Sequence, residues 1–122
     1  MKKVHDIKRA QKTSLFLRTI GTLFSKTLQD DHELNGIMIN RVELSPNKST
    51  CCVYFYTAEG EEFFKTNMLP RLILYKPSLR AALAKEIAGR YTPELVFKFD
   101  AIFEKTMRIE TLLSNLKDKG DL

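Results

Sequence analysis

The stretch LRAALAKEIAGRYTPELVFKFD, Leu79 to Asp100, changes period halfway along. Leu79, Leu83 and Ile87 recur at helical spacing as far as Gly89, and then Leu95, Phe97 and Phe99 alternate with Val96 and Lys98. A spacing of three and four aligns side chains on one face of a helix, whereas a spacing of two aligns them on one face of a strand. Gly89 supplies the helix stop, and Pro93 disfavours a helical Thr92, so the segment reads as helix, turn, strand.

Upstream, Pro77 suits a first helical turn, which makes KPSLRAALAKEIAG a helix of its own. It follows a helix in EEFFKTNMLPRLILY, spaced by Phe63, Phe64, Leu69, Leu72 and Ile73, and a kink is expected at Tyr75-Lys76-Pro77. Ahead of these, Ile37 to Leu44 reads as a half-buried strand, with Val42 and Leu44 on one face and Arg41 and Glu43 on the other. SPNKS then offers turn chemistry and TCCVYFYT a second strand, giving a hairpin. A first helix is expected from Ser14 to Gln29 on the stripe Phe16, Ile20, Leu23, Phe24 and Leu28, broken by DDHELNG. A last helix, about Glu104 to Lys117, carries Met107, Ile109, Leu112, Leu113 and Leu116, and Arg108 is expected beside a core residue.

The order is α-β-β-α-α(kinked)-β-α: an α+β domain whose three-stranded sheet is covered by helices on one face. At 122 residues the chain is one domain in size. The expected division is a flexible basic arm over 1–12, a domain over 13–117 and a frayed tail over 118–122.

Composition limits the functional classes. With 43% hydrophobic and 29% charged residues and no long apolar run, no membrane partner is expected. The basic start is followed by an apolar stretch broken by Arg18, unlike a secretory leader, so a cytoplasmic address is expected. Cys51 and Cys52 are adjacent and point to opposite faces of a strand, which unsuits them to chelate one metal or bond to each other. His5 and His32 lack further ligands nearby in the sequence, and Asp30 and Asp31 read as solvated turn carboxylates. No nucleophile, base and orienting group converge, so neither an enzyme nor a small-molecule substrate or cofactor is expected.

The net charge of +5 points to a polyanionic partner. The cations fall in two zones, one within the first 26 residues that includes Arg18 and Lys26, the other from Lys65 to Lys98. Within the second, Arg71, Lys76, Arg80, Lys85 and Arg90 are the candidate RNA-binding residues, with Lys76, Arg80, Arg71 and Arg90 expected as a stripe along the kinked helices. Arg90 could instead cap its helix, Arg108 could pair with Glu104 four residues back, and Tyr54 and Tyr56 could stack on bases from the outer sheet face.

The element order matches a type II KH domain, and particular residues sharpen the match: Val42-Glu43-Leu44-Ser45-Pro46, Leu79-Arg80-Ala81-Ala82-Leu83-Ala84, Arg90-Tyr91-Thr92-Pro93-Glu94-Leu95, and Arg108-Ile109 with Leu112-Leu113. Together they resemble the ribosome-binding factor A family over nearly the whole chain. That resemblance implies a monomeric, non-catalytic factor that binds the small ribosomal subunit and its rRNA and assists 16S rRNA maturation. The alternative is a protein-interaction module without RNA contact. One departure matters: where the family commonly has a small-x-glycine kink, this chain has Tyr75-Lys76-Pro77, so an anion grip there rests on side chains rather than backbone amides.

Overall fold

The computed structural model describes residues 4–28, 30–47, 49–86 and 92–118. Strands β1 (Met38–Leu44), β2 (Thr50–Tyr56) and β3 (Glu94–Phe99) form one sheet in that order. The first pair is an antiparallel hairpin, with Val42 opposite Val53 and Leu44 opposite Cys51. Its turn is organised by Ser45, whose hydroxyl oxygen accepts from the amides of Ser49 and Thr50, each at 3.1 Å. The second pair is parallel, as a helical crossover allows, with Val53 beside Phe97 and Phe55 beside Phe99. This register puts Val42, Leu44, Cys51, Val53, Phe55, Leu95, Phe97 and Phe99 on one buried face. The two cysteines do separate: Cys51 is inside the core and Cys52 is half-buried on the outer face.

Helix α1 (Val4–Leu28) lays Phe16, Ile20 and Phe24 on that face. It begins well before the expected start at Ser14, because Thr13 and Ser14 do not cap it and the helix runs through them. A 3-10 turn, His32–Leu34, follows, and Gly36 at φ +85 then takes a left-handed conformation that favours glycine, leading into β1.

After β2, Gly60 at φ +97 turns the chain into α2 (Glu61–Phe63), a π-helical turn (Phe64–Met68) and α3 (Leu69–Glu86). The expected break at Tyr75-Lys76-Pro77 is corrected by this run, since Pro77 lies inside α3. Its missing amide would have bonded to the Ile73 carbonyl, and both residues are exposed, so that carbonyl remains open to water. The irregularity falls instead at Phe64–Met68, where the Leu69 amide donates to the Phe64 carbonyl five residues back. That wider turn allows Phe64 and Met68 both to reach the core.

The core is rich in aromatic rings. Phe55, fully buried, meets Phe24 and Phe97 edge-on at 5.4 Å and stacks on Phe64 at 5.9 Å. Aromatic pairs of this geometry gain beyond the area they bury, so these contacts fix how α1, the π-helical turn and the sheet meet.

The last helix, α4 (Ala101–Asp118), starts three residues earlier than expected because Asp100 caps it, accepting from the Phe103 amide at 3.1 Å. Asp100 is buried and also accepts from Arg41 Nε at 3.1 Å. Burial alone would raise its pKa, but the Arg41 bond and the Phe103 amide hold it below the usual 3.8. The expected core residue beside Arg108 is corrected: Met107 and Ile109 are 38 and 51% exposed, because α4 meets the sheet mainly at its first turns, with the Phe103 ring 4.8 Å from Tyr56.

Candidate nucleic-acid interface

The apolar residues of α3 decide where its cations go. Leu72, Leu79 and Leu83 are buried and define the inner face. Lys76 and Arg80, one turn apart, flank that stripe on the side of β3. The Lys76 ammonium lies 5.3 Å over the Phe97 ring, within cation–π range, and the Arg80 guanidinium donates to the Thr92 carbonyl at 3.1 Å. These contacts hold two long side chains at the junction of α3 and β3 and leave Arg80 exposed. Lys85 is exposed on the outer side of the helix. Arg90 lies outside the described residues.

Arg71 faces the other way. Its Nε donates to both carboxylate oxygens of Asp31, at 2.7 and 2.6 Å, and the Tyr75 hydroxyl donates to the same carboxylate at 2.5 Å. The Glu33 amide adds a fourth bond at 3.0 Å. Asp31 is therefore a buried anchor and not a solvated turn carboxylate, a correction that sequence distance concealed, since its two side-chain partners lie 40 and 44 residues away. The Tyr75 bond first, and Arg71 with it, hold its pKa below 3.8 against the opposing effect of burial. Arg71 thus ties α3 to the 3-10 turn and does not line up with Lys76 and Arg80.

The fold brings in cations from the other basic zone. Arg18 and Lys26 are exposed on α1, on the side away from Phe16, Ile20 and Phe24, and line a groove of about 450 Å³ with Leu15, Thr19, Thr22, Leu23 and Glu86 of α3. The first zone therefore meets α3 across the helical layer at the acidic Glu86. Helical spacing alone places Arg18 and Lys26 on one face, but only the packing of α1 beside α3 sets that face against Glu86.

The outer sheet face is less available than its aromatic content suggests. Arg41 lies 3.7 Å over the Tyr54 ring and pairs with Glu43, which also accepts from the Tyr54 hydroxyl at 3.3 Å. Tyr56 packs on Phe99 and Phe103. Hydrogen bonding with Cys52, followed by burial, pushes the Tyr54 phenol up to about 12, and burial does the same to the Cys51 thiol. Neither group is suited to proton transfer near neutral pH. Arg108 pairs with Glu104 at 3.1 Å, as its spacing suggested.

The sequence model of the family described as "Ribosome-binding factor A" matches residues 8–113. The chain is 37% identical over 108 residues to "Ribosome-binding factor A" of Ruthia magnifica, covering 88% of this chain and 94% of that protein. It is 32% identical over 111 residues to the protein of the same name from Prochlorococcus marinus subsp. pastoris, covering 90% and 83%. The crystal structure of ribosome-binding factor A from Thermus thermophilus superposes with a TM-score of 0.63 at 26% identity, covering 75% of this chain and 93% of that one. A three-stranded sheet with helices packed on one face, the family match along nearly the whole length, and this structural likeness agree: the chain belongs to the ribosome-binding factor A family.

Proposed function

We propose that the chain binds the small ribosomal subunit in the cytoplasm, holds 16S rRNA backbone through the basic surface of its helical layer, and assists maturation of that rRNA without catalysing a reaction. The observation that carries this reading is the pair Lys76 and Arg80, steadied by Phe97 and the Thr92 carbonyl on the edge of that layer. Lys85 on α3 and Arg18 and Lys26 on α1 are further exposed cations of the helical layer, and Arg90 remains a candidate in the same role. Cations fixed in this way position a backbone without reading its sequence. The family's KH-like fold is suited to such contacts. Because Pro77 offers no amide, the grip belongs to side chains. The corresponding test is co-sedimentation with free small subunits in gradient fractions of cell extract. Wild type is expected with the small subunits and the Lys76→Glu/Arg80→Glu double variant in the soluble fractions; unchanged co-sedimentation overturns the assignment to these residues.

A second reading, a protein-interaction module without RNA contact, draws on the exposed apolar residues of α4. Binding to the subunit that does not weaken with rising salt would favour it.

A further inference from the structure

Pro77 leaves a main-chain acceptor open beside the two fixed cations of α3. A helical carbonyl is normally filled by the amide four residues on, and for Ile73 that position is held by a proline, which has no amide to give. Ile73 is 47% exposed and Pro77 is exposed, so the gap opens to solvent and not into the core. With 3.6 residues per turn, Lys76, Arg80, Ile73 and Pro77 follow one another around the helix, moving outward from the buried stripe of Leu72, Leu79 and Leu83. The Ile73 carbonyl points along the axis toward Pro77 and therefore emerges beside Lys76, on the same turn, with Arg80 one turn beyond.

We propose that the Ile73 carbonyl accepts a hydrogen bond from a ribose 2′-hydroxyl, so that Pro77 makes this surface selective for RNA over DNA. The proposal rests on the reading that Lys76 and Arg80 hold RNA backbone, and it adds a contact to the sugar. The chemistry of the strand decides the pairing. A phosphate only accepts, so it meets the two cations and cannot bond to a carbonyl, which only accepts as well. Along a ribose-phosphate chain the 2′-hydroxyl is the donor that remains, and DNA lacks it. Lys76 is steadied 5.3 Å over the Phe97 ring and Arg80 by its 3.1 Å bond to the Thr92 carbonyl, so phosphates bound to them stand in a fixed relation to α3 and bring a sugar to the open acceptor. In an unbroken helix the amide of residue 77 would hold that carbonyl and compete with the sugar for it.

Fluorescence anisotropy with uridine oligonucleotides of one length, carrying ribose, 2′-fluoro or 2′-deoxy sugars, reads this contact in the full chain. The 2′-fluoro sugar keeps the ribose pucker without the donor, which separates donation from strand shape. Wild type is expected to bind the ribose oligomer about fivefold more tightly than the 2′-fluoro oligomer, the worth of one neutral hydrogen bond, and the deoxy oligomer no more tightly than the 2′-fluoro one. Pro77→Ala supplies the missing amide and should bind the ribose and 2′-fluoro oligomers alike, with a melting temperature no lower than that of wild type because alanine suits a helix interior. Equal affinity of wild type for the ribose and 2′-fluoro oligomers overturns the proposal and leaves the backbone reading standing, as does a ribose preference that survives in Pro77→Ala. Failure of wild type to bind any of the three at low salt overturns both.

Discussion

Replacing Phe55 by alanine is the sharpest test of how the fold is held. Phe55 is fully buried at the centre of β2, with three rings around it at 5.4, 5.4 and 5.9 Å from α1, β3 and the π-helical turn. Truncating a buried phenylalanine costs about 3 to 5 kcal/mol, the larger values where the walls cannot collapse into the cavity. Here the walls are themselves rings fixed by one another, so about 4 kcal/mol is expected, a large share of the roughly 5 to 15 kcal/mol that stabilises an ordinary domain. At about 4 °C or more per kcal/mol the melting temperature should fall by more than about 15 °C. Urea titration followed by circular dichroism measures the loss. Phe63→Ala is the control: Phe63 is 37% exposed and its loss should cost less than about 1 kcal/mol. A cost below about 2 kcal/mol for Phe55→Ala, or one equal to that of Phe63→Ala, would refute the aromatic cluster as the element that joins the layers.

Other outcomes follow from the same contacts. Asp31 and Asp100 are both held below the usual 3.8, so near that pH the unfolded chain binds more protons than the folded one. Their stabilisation is therefore present in full above about pH 5 and is lost as the pH falls through and below 3.8; Asp31→Asn should flatten this acid limb in denaturation curves, and an unchanged limb contradicts the assignment. Asp100→Ala removes the cap of α4, worth about 1 kcal/mol, together with the Arg41 pair, so it should cost more than about 1 kcal/mol, with faster amide exchange concentrated in the first turn of that helix; uniform exchange along the helix would count against the cap. For RNA binding, Lys76→Gln/Arg80→Gln should reduce the slope of log K against log salt by about 1.4 to 1.8, two contacts' worth, in filter-binding titrations; an unchanged slope shows that neither cation meets a phosphate.

Much of this architecture is legible in local pattern. The change from period three and four to period two between Leu83 and Leu95, the alternation around Val53 and the Arg108–Glu104 spacing all reappear in the structure, because each depends on neighbours within a turn or along a strand. What escapes the sequence depends on distant partners. Pro77 signals a break, but its cost is small where the orphaned Ile73 carbonyl meets water, so α3 continues through it. Asp31 looks like a turn residue until packing brings Arg71 and Tyr75 to it, which also removes Arg71 from the expected basic stripe. The amphipathic pattern of α4 specifies an apolar face without saying what it covers, and that face proves to be turned outward. The groove that Arg18 and Lys26 share with Glu86 depends on the packing of α1 beside α3, which no spacing within either helix specifies.

Photocrosslinking of the protein bound to purified small subunits, with the attached molecules identified by mass spectrometry and sequencing, tests the central claim most directly. The account predicts 16S rRNA joined to peptides spanning Lys76 to Lys85. Crosslinks confined to ribosomal proteins, with these peptides recovered free of RNA, would contradict it.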